Sequence, residues 1–97
     1  MEDLKFYRSK IDEIDESIIK KLGERFCIIH KIALFKRKKN IPMMQSNRVK
    51  EVFETRKKSG QLVGLREELI EELFQVIINN ACKIENEIID ASKREGK

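Results

Sequence analysis

Apolar residues recur at helical spacing along almost the whole chain, in three segments separated by turn signals. The first runs from about Asp3 to Lys39, where Leu4, Ile11, Ile14, Ile18, Leu22, Ile29, Ile32 and Ala33 fall on one stripe. Polar residues fill its other faces, with Asp12, Glu13, Asp15 and Glu16 early and Lys36 to Lys39 at the end, an order that suits the helix dipole. Asn40-Ile41-Pro42 stops this helix, because the residue before proline is pushed out of the α region. A second, shorter helix is expected from about Ser46 to Ser59, with Val49, Val52 and Phe53 turned inward. Ser59-Gly60 and Gly64 bracket a loop. The third helix spans about Leu65 to Lys93 and carries Leu69, Leu73, Phe74, Ile77, Ala81, Ile84 and Ile88 on its stripe. No internal repeat or low-complexity linker divides the chain, so residues 1–97 read as one all-α domain of three helices.

Composition supports that class. Four glycines and one proline are too few for a turn-rich β domain, and 40% hydrophobic residues are enough for a core. No apolar run approaches the roughly 18 residues of a membrane span. The N-terminal MEDLKFYRSK lacks the apolar stretch of a signal peptide. Two cysteines, Cys27 and Cys82, suit a reducing compartment, so a cytoplasmic protein is expected. The net charge of +4 admits nucleic acid or a small anionic ligand and selects neither.

The length of the first helix bears on assembly. About 36 helical residues extend ~54 Å, whereas a compact chain of this size has a radius of gyration of only about 12–13 Å. Its stripe therefore needs cover from another chain, most simply its own copy in a two-fold, intertwined helical homodimer.

Three cations lie on or beside that stripe: Arg8, Arg25 and Lys36. Long side chains can snorkel to solvent, but buried charge is costly unless it is paired or used. Arg25 and Lys36 are eleven residues apart, about three turns, and project from nearly one face. Arg8 lies seventeen residues before Arg25, ~25 Å along a straight helix, so it cannot share a site with Arg25 of its own chain. In an antiparallel dimer it completes the partner's site. Arg48 adds a fourth cation from the second helix, and Glu85 places one carboxyl on the apolar stripe of the third. Cations and one carboxyl converging on a bundle interior point to a pocket for a compact dianion.

In order and spacing these residues resemble the all-helical (AroQ-class) chorismate mutases over nearly the whole chain, Leu4 to about Ile89. The first helix carries Arg8-x-x-Ile11-Asp12-x-Ile14-Asp15, Leu22-x-x-Arg25 and Lys36. Ile41-Pro42, Arg48 and Leu73-Phe74-x-x-Ile77-Ile78 follow. The resemblance implies an intertwined dimer of the chorismate mutase II type, with two sites, each completed by Arg8 of the other subunit. It implies that Arg25, Arg8 of the partner and Arg48 hold two carboxylates, and that Lys36 donates to the enol-ether oxygen during a [3,3]-sigmatropic rearrangement. It implies no metal and no cofactor, and assigns substrate contact to Ala81 as well.

Three positions depart from the usual family pattern. Glu85 stands where Gln is common; a carboxylate cannot donate, so Glu85 must be protonated to help the ether oxygen. A bound dianion favours that protonated form and Lys36 opposes it. Val49 stands where a Glu contacts the hydroxyl at ring carbon 4, and Gln45 replaces a loop Asp. The run Ile41-Pro42-Met43-Met44-Gln45-x-x-Arg48-Val49, with Cys82-Lys83-x-Glu85, is most similar to the 4-amino-4-deoxychorismate mutase branch. Arg48-Val49 is also similar to isochorismate pyruvate lyases.

Rival readings attach to other residues. Cys27-x-x-His30 with Cys82 offers three zinc ligands and no fourth, which favours buried structural cysteines and a surface histidine. Met43 and Met44 read as gap-fillers at the loop-to-helix joint. Lys36-Arg37-Lys38-Lys39 raises a nucleic-acid-binding dimer, opposed by interspersed acids and few exposed aromatics; a solvated helix end explains the run. A non-catalytic helical interaction module is the remaining class.

Overall fold

The computed structural model describes residues 3–43 and 45–95, the side chains of 91–95 excepted. Its three helices are α1 (Leu4–Lys39), α2 (Ser46–Leu62) and α3 (Glu67–Glu95), and no strand occurs among the described residues. The all-α, three-helix reading therefore stands. Asp3 caps α1, its side chain accepting the Phe6 N–H at 2.9 Å, and so satisfies one of the amides a helix start leaves open.

Among the described residues, each interhelical connection holds one left-handed residue, close to the end of the helix before it. At the end of α1 that residue is Asn40 (φ 56°), with the Ile41 N–H bonded to the Lys36 carbonyl at 2.9 Å and the Asn40 N–H to the Arg37 carbonyl at 3.4 Å. Two such backward bonds make a Schellman stop, and Asn tolerates the left-handed region better than most side chains. Gly64 (φ 79°) does the same after α2, where Leu65 N–H reaches the Gly60 carbonyl at 2.9 Å and Gly64 N–H the Gln61 carbonyl at 3.2 Å.

The expected loop at Ser59-Gly60 is corrected here. The α2 helix continues through both residues to Leu62, and α3 starts at Glu67 rather than Leu65. Gly60 serves packing instead of turning: a Cβ there would stand 2.7 Å from Ile70 Cγ1, so the bare backbone lets α2 and α3 approach closely. Lys57 also ties these helices, its ammonium 3.4 Å from Glu67 and 3.5 Å from Glu71. Desolvation pulls the Lys57 ammonium down, but hydrogen bonding and charge from the two glutamates outweigh it and hold its pKa above the ordinary lysine value.

The α3 helix packs against both α1 and α2. The core of the single chain is thin, with Ala33, Val52, Ile70, Ile78 and Ala81 its buried hydrophobic residues among those described. The molecule measures 64 × 26 × 16 Å with a radius of gyration of 17.5 Å, well above the ~12–13 Å of a compact chain this long. The stripe residues Leu4, Ile11, Ile14, Ile18 and Leu22 are 42–62% exposed, so the N-terminal half of α1 has no cover within its own chain. Cys27 is exposed and Cys82 half-buried, which corrects the reading of both as buried cysteines. His30 is exposed and Met44 lies outside the described residues. Among the described residues no helix is long and apolar enough to cross a membrane.

Candidate active site

The chain reversal at Asn40 brings the segment after α1 back over the last turns of that helix. There the Lys36 ammonium donates to the Met43 carbonyl at 2.6 Å and to Glu85 Oε1 at 2.8 Å. The Lys36 and Glu85 side chains are 15% and 7% exposed, so this is a buried ion pair joining α1 to α3 across 49 residues of sequence. An ammonium has three N–H donors. Two are engaged, and the third has no acceptor among the described residues.

The pair lines a cavity of about 390 Å³ between the three helices, within the range of small-molecule sites. Arg25 and Lys36 enter it from α1, Arg48 and Val49 from α2, and Ala81 and Glu85 from α3, with Gln45 at the loop. Ile32, Val52 and Ile78 supply apolar wall. Seven of the eight sequence-predicted site residues thus line one cavity. Arg8, the eighth, is exposed near the start of α1 and does not line it.

Arg25 is half-buried and, among the described residues, has neither a carboxylate within ion-pair distance nor a hydrogen-bond acceptor. Burial, and then the charges of Arg56 and Arg48, hold its pKa below the ordinary arginine value. It still carries its charge at neutral pH, so a desolvated and unmatched cation faces the cavity. Arg48 donates to Glu51, one turn along α2, with both side chains more than half exposed. Such an exposed pair is worth at most about 1 kcal/mol, and an incoming anion displaces it readily.

The cavity combines apolar wall with the guanidiniums of Arg25 and Arg48 and the Lys36–Glu85 pair, a lining whose charge and donors suit a small anion. Helical register alone indicated Arg25, Lys36 and Glu85. It missed the Met43 carbonyl, a backbone group aimed by the Asn40 turn, and it missed Arg56, which the Arg25 electrostatics reveal. Among the described residues no three His, Cys, Asp or Glu side chains cluster as metal ligands.

Residues 7–86 match the sequence family of chorismate mutase type II, and the chain belongs to that family. It is 26% identical over its whole length to the chorismate mutase of Methanocaldococcus jannaschii, covering 98% of that protein. It is 29% identical to the 4-amino-4-deoxychorismate mutase of Streptomyces venezuelae, over 87% of this chain and 82% of that one. It is 32% identical to the bifunctional chorismate mutase/prephenate dehydratase of Aquifex aeolicus over 91% of this chain, and spans only 25% of that longer protein. No solved structure gives a significant match.

Proposed function

We propose that the chain is a chorismate-mutase-type isomerase that rearranges chorismate or 4-amino-4-deoxychorismate to prephenate or its 4-amino analogue. The observation that carries this reading is the convergence of Arg25, Lys36, Arg48 and Glu85 on one cavity, with Arg25 unpaired. Two copies associate through the exposed stripe of α1, and each site is completed by the partner subunit's Arg8. Arg25, Arg48 and the partner subunit's Arg8 grip the two carboxylates through charge-assisted hydrogen bonds and hold the substrate in its chair-like conformer. The enol-ether C–O bond breaks as the new C–C bond forms; every atom is retained, and no proton or electron leaves the molecule. Negative charge grows on the ether oxygen, and the third N–H of Lys36, beyond the two held by Met43 and Glu85, donates to it. Glu85 adds a second donor in its protonated form, which requires it to release Lys36 in part.

Val49, half-buried at the cavity, offers no acceptor for a hydroxyl at ring carbon 4, and Gln45 supplies a neutral amide. Together with the likeness to the Streptomyces protein, this supports 4-amino-4-deoxychorismate as the preferred substrate. A cytoplasmic site of action fits a soluble metabolite of this kind.

The test is a side-by-side assay on chorismate, 4-amino-4-deoxychorismate and isochorismate with identification of the products. Preference for the amino compound makes Val49 and Gln45 substrate determinants. Efficient formation of prephenate makes them tolerated variation in a plain mutase. Pyruvate from isochorismate alone moves the chain to the lyase branch, and turnover of none of the three removes the enzymatic reading.

A further inference from the structure

Arg56 lies outside the cavity lining, yet its positive charge, like that of Arg48, adds to burial in lowering the pKa of Arg25. Its place follows from helical register. Seven residues separate Arg56 from Val49, two turns of α2, and four separate it from Val52; both valines line the cavity. Arg56 therefore continues the cavity face of α2 one turn beyond Val52. Its side chain is half-buried and donates to Thr55 Oγ1 at 2.8 Å, and among the described residues it has no carboxylate within ion-pair distance. Two other cations of α2 are matched, Arg48 by Glu51 and Lys57 by Glu67 and Glu71, while Lys50 and Lys58 are exposed.

We propose that Arg56 is a positioning residue of the anion site, a cation on the cavity face of α2 that favours a doubly charged ligand without touching it. This rests on the reading of the cavity as a carboxylate-binding site. Three guanidiniums with a single acidic partner repel one another in the empty chain. A dianion in the cavity removes that repulsion, so part of its affinity comes from relief of strain that Arg56 imposes. Arg56 thus acts oppositely on the empty and the filled protein, which a merely structural arginine does not do.

Arg56→Gln and Arg56→Lys are compared with the unaltered protein in three measurements at matched concentration. Steady-state kinetics on the preferred substrate are expected to show KM raised about three- to tenfold by glutamine with kcat nearly unchanged, the scale of one partly screened charge. Lysine restores most of the loss. The gap narrows as salt is raised, because screening acts on a charge that does not contact the ligand. Thermal unfolding of the empty Arg56→Gln protein is expected at or above the unaltered temperature, and the upward shift produced by malonate, a small dicarboxylate probe, is expected to shrink. An unchanged KM together with an unchanged malonate shift overturns the proposal while leaving catalysis intact. A fall in the unfolding temperature of the empty variant overturns it in favour of a packing role. Malonate stabilisation that depends on Arg56, in a protein that turns over no chorismate-type substrate, supports the proposal and removes the catalytic reading instead.

Discussion

Replacing Lys36 by methionine keeps the length of the side chain and removes its charge, leaving Glu85 7% exposed with no cation beside it. Breaking a buried pair in this way costs about 3–5 kcal/mol, because the surviving carboxylate keeps its desolvation penalty and loses its compensation. Against a total of about 5–15 kcal/mol for a domain of this size, that is a large fraction. Glu85→Gln removes the charge from the other side with a different result. The amide oxygen still accepts from Lys36, and the Met43 carbonyl still accepts a second N–H, so the loss is about 1 kcal/mol, the difference between a charged and a neutral hydrogen bond. Guanidinium unfolding of the two variants at equal protein concentration measures this asymmetry. The Lys36→Met deficit is further expected to shrink in acid, since protonation of the orphaned carboxyl removes the buried charge. A Lys36→Met variant no less stable than Glu85→Gln, with a deficit independent of pH, would refute the buried pair.

Four further outcomes are expected. Gly60→Ala destabilises by about 1–3 kcal/mol, read by thermal unfolding, because its Cβ meets Ile70 Cγ1 at 2.7 Å and Ile70 is itself buried. Lys57→Met is less stable than the unaltered chain at neutral pH. Because Lys57 is raised in the fold, its contribution is present below the ordinary lysine value and is lost as pH rises through the folded one, so the two proteins converge in strong base. Mixing inactive Arg8→Ala and Arg25→Ala proteins restores activity to roughly one quarter of the sites under full subunit exchange, since each mixed dimer of a two-fold pair holds one intact site. For the proposed reaction Glu85→Gln, whose amide donates without needing a proton, is expected to raise kcat/KM in steady-state kinetics.

How far the sequence carried depended on the kind of residue. The α1 helix was legible because 36 residues of uninterrupted periodicity leave no competing pattern, and its two ends carry side chains with a local reason to stop it. The end of α2 was not, because Gly60 has the same letter whether it turns a chain or lets Ile70 approach. Arg25, Lys36 and Glu85 stood out as charges on apolar stripes, where burial makes them conspicuous. Arg56 and the Met43 carbonyl gave no such signal. One is a charge on a polar helix, and the other is a group every residue possesses; only the path of the folded chain makes either particular.

The half-buried Lys36 ammonium has a further consequence. Its protons point to the corners of a tetrahedron, and the Met43 carbonyl and Glu85 fix two of them. The third direction is then set by the fold rather than chosen by the ligand. Such a donor is an aimed one: it rewards an oxygen that moves onto its axis and gives little to a carboxylate lying elsewhere in the slot. An arginine at position 36, flat and forked, would carry the same charge with a different aim. Under the proposed reaction, the arginines decide what enters and in which orientation, while Lys36 is held in reserve for the atom whose charge changes.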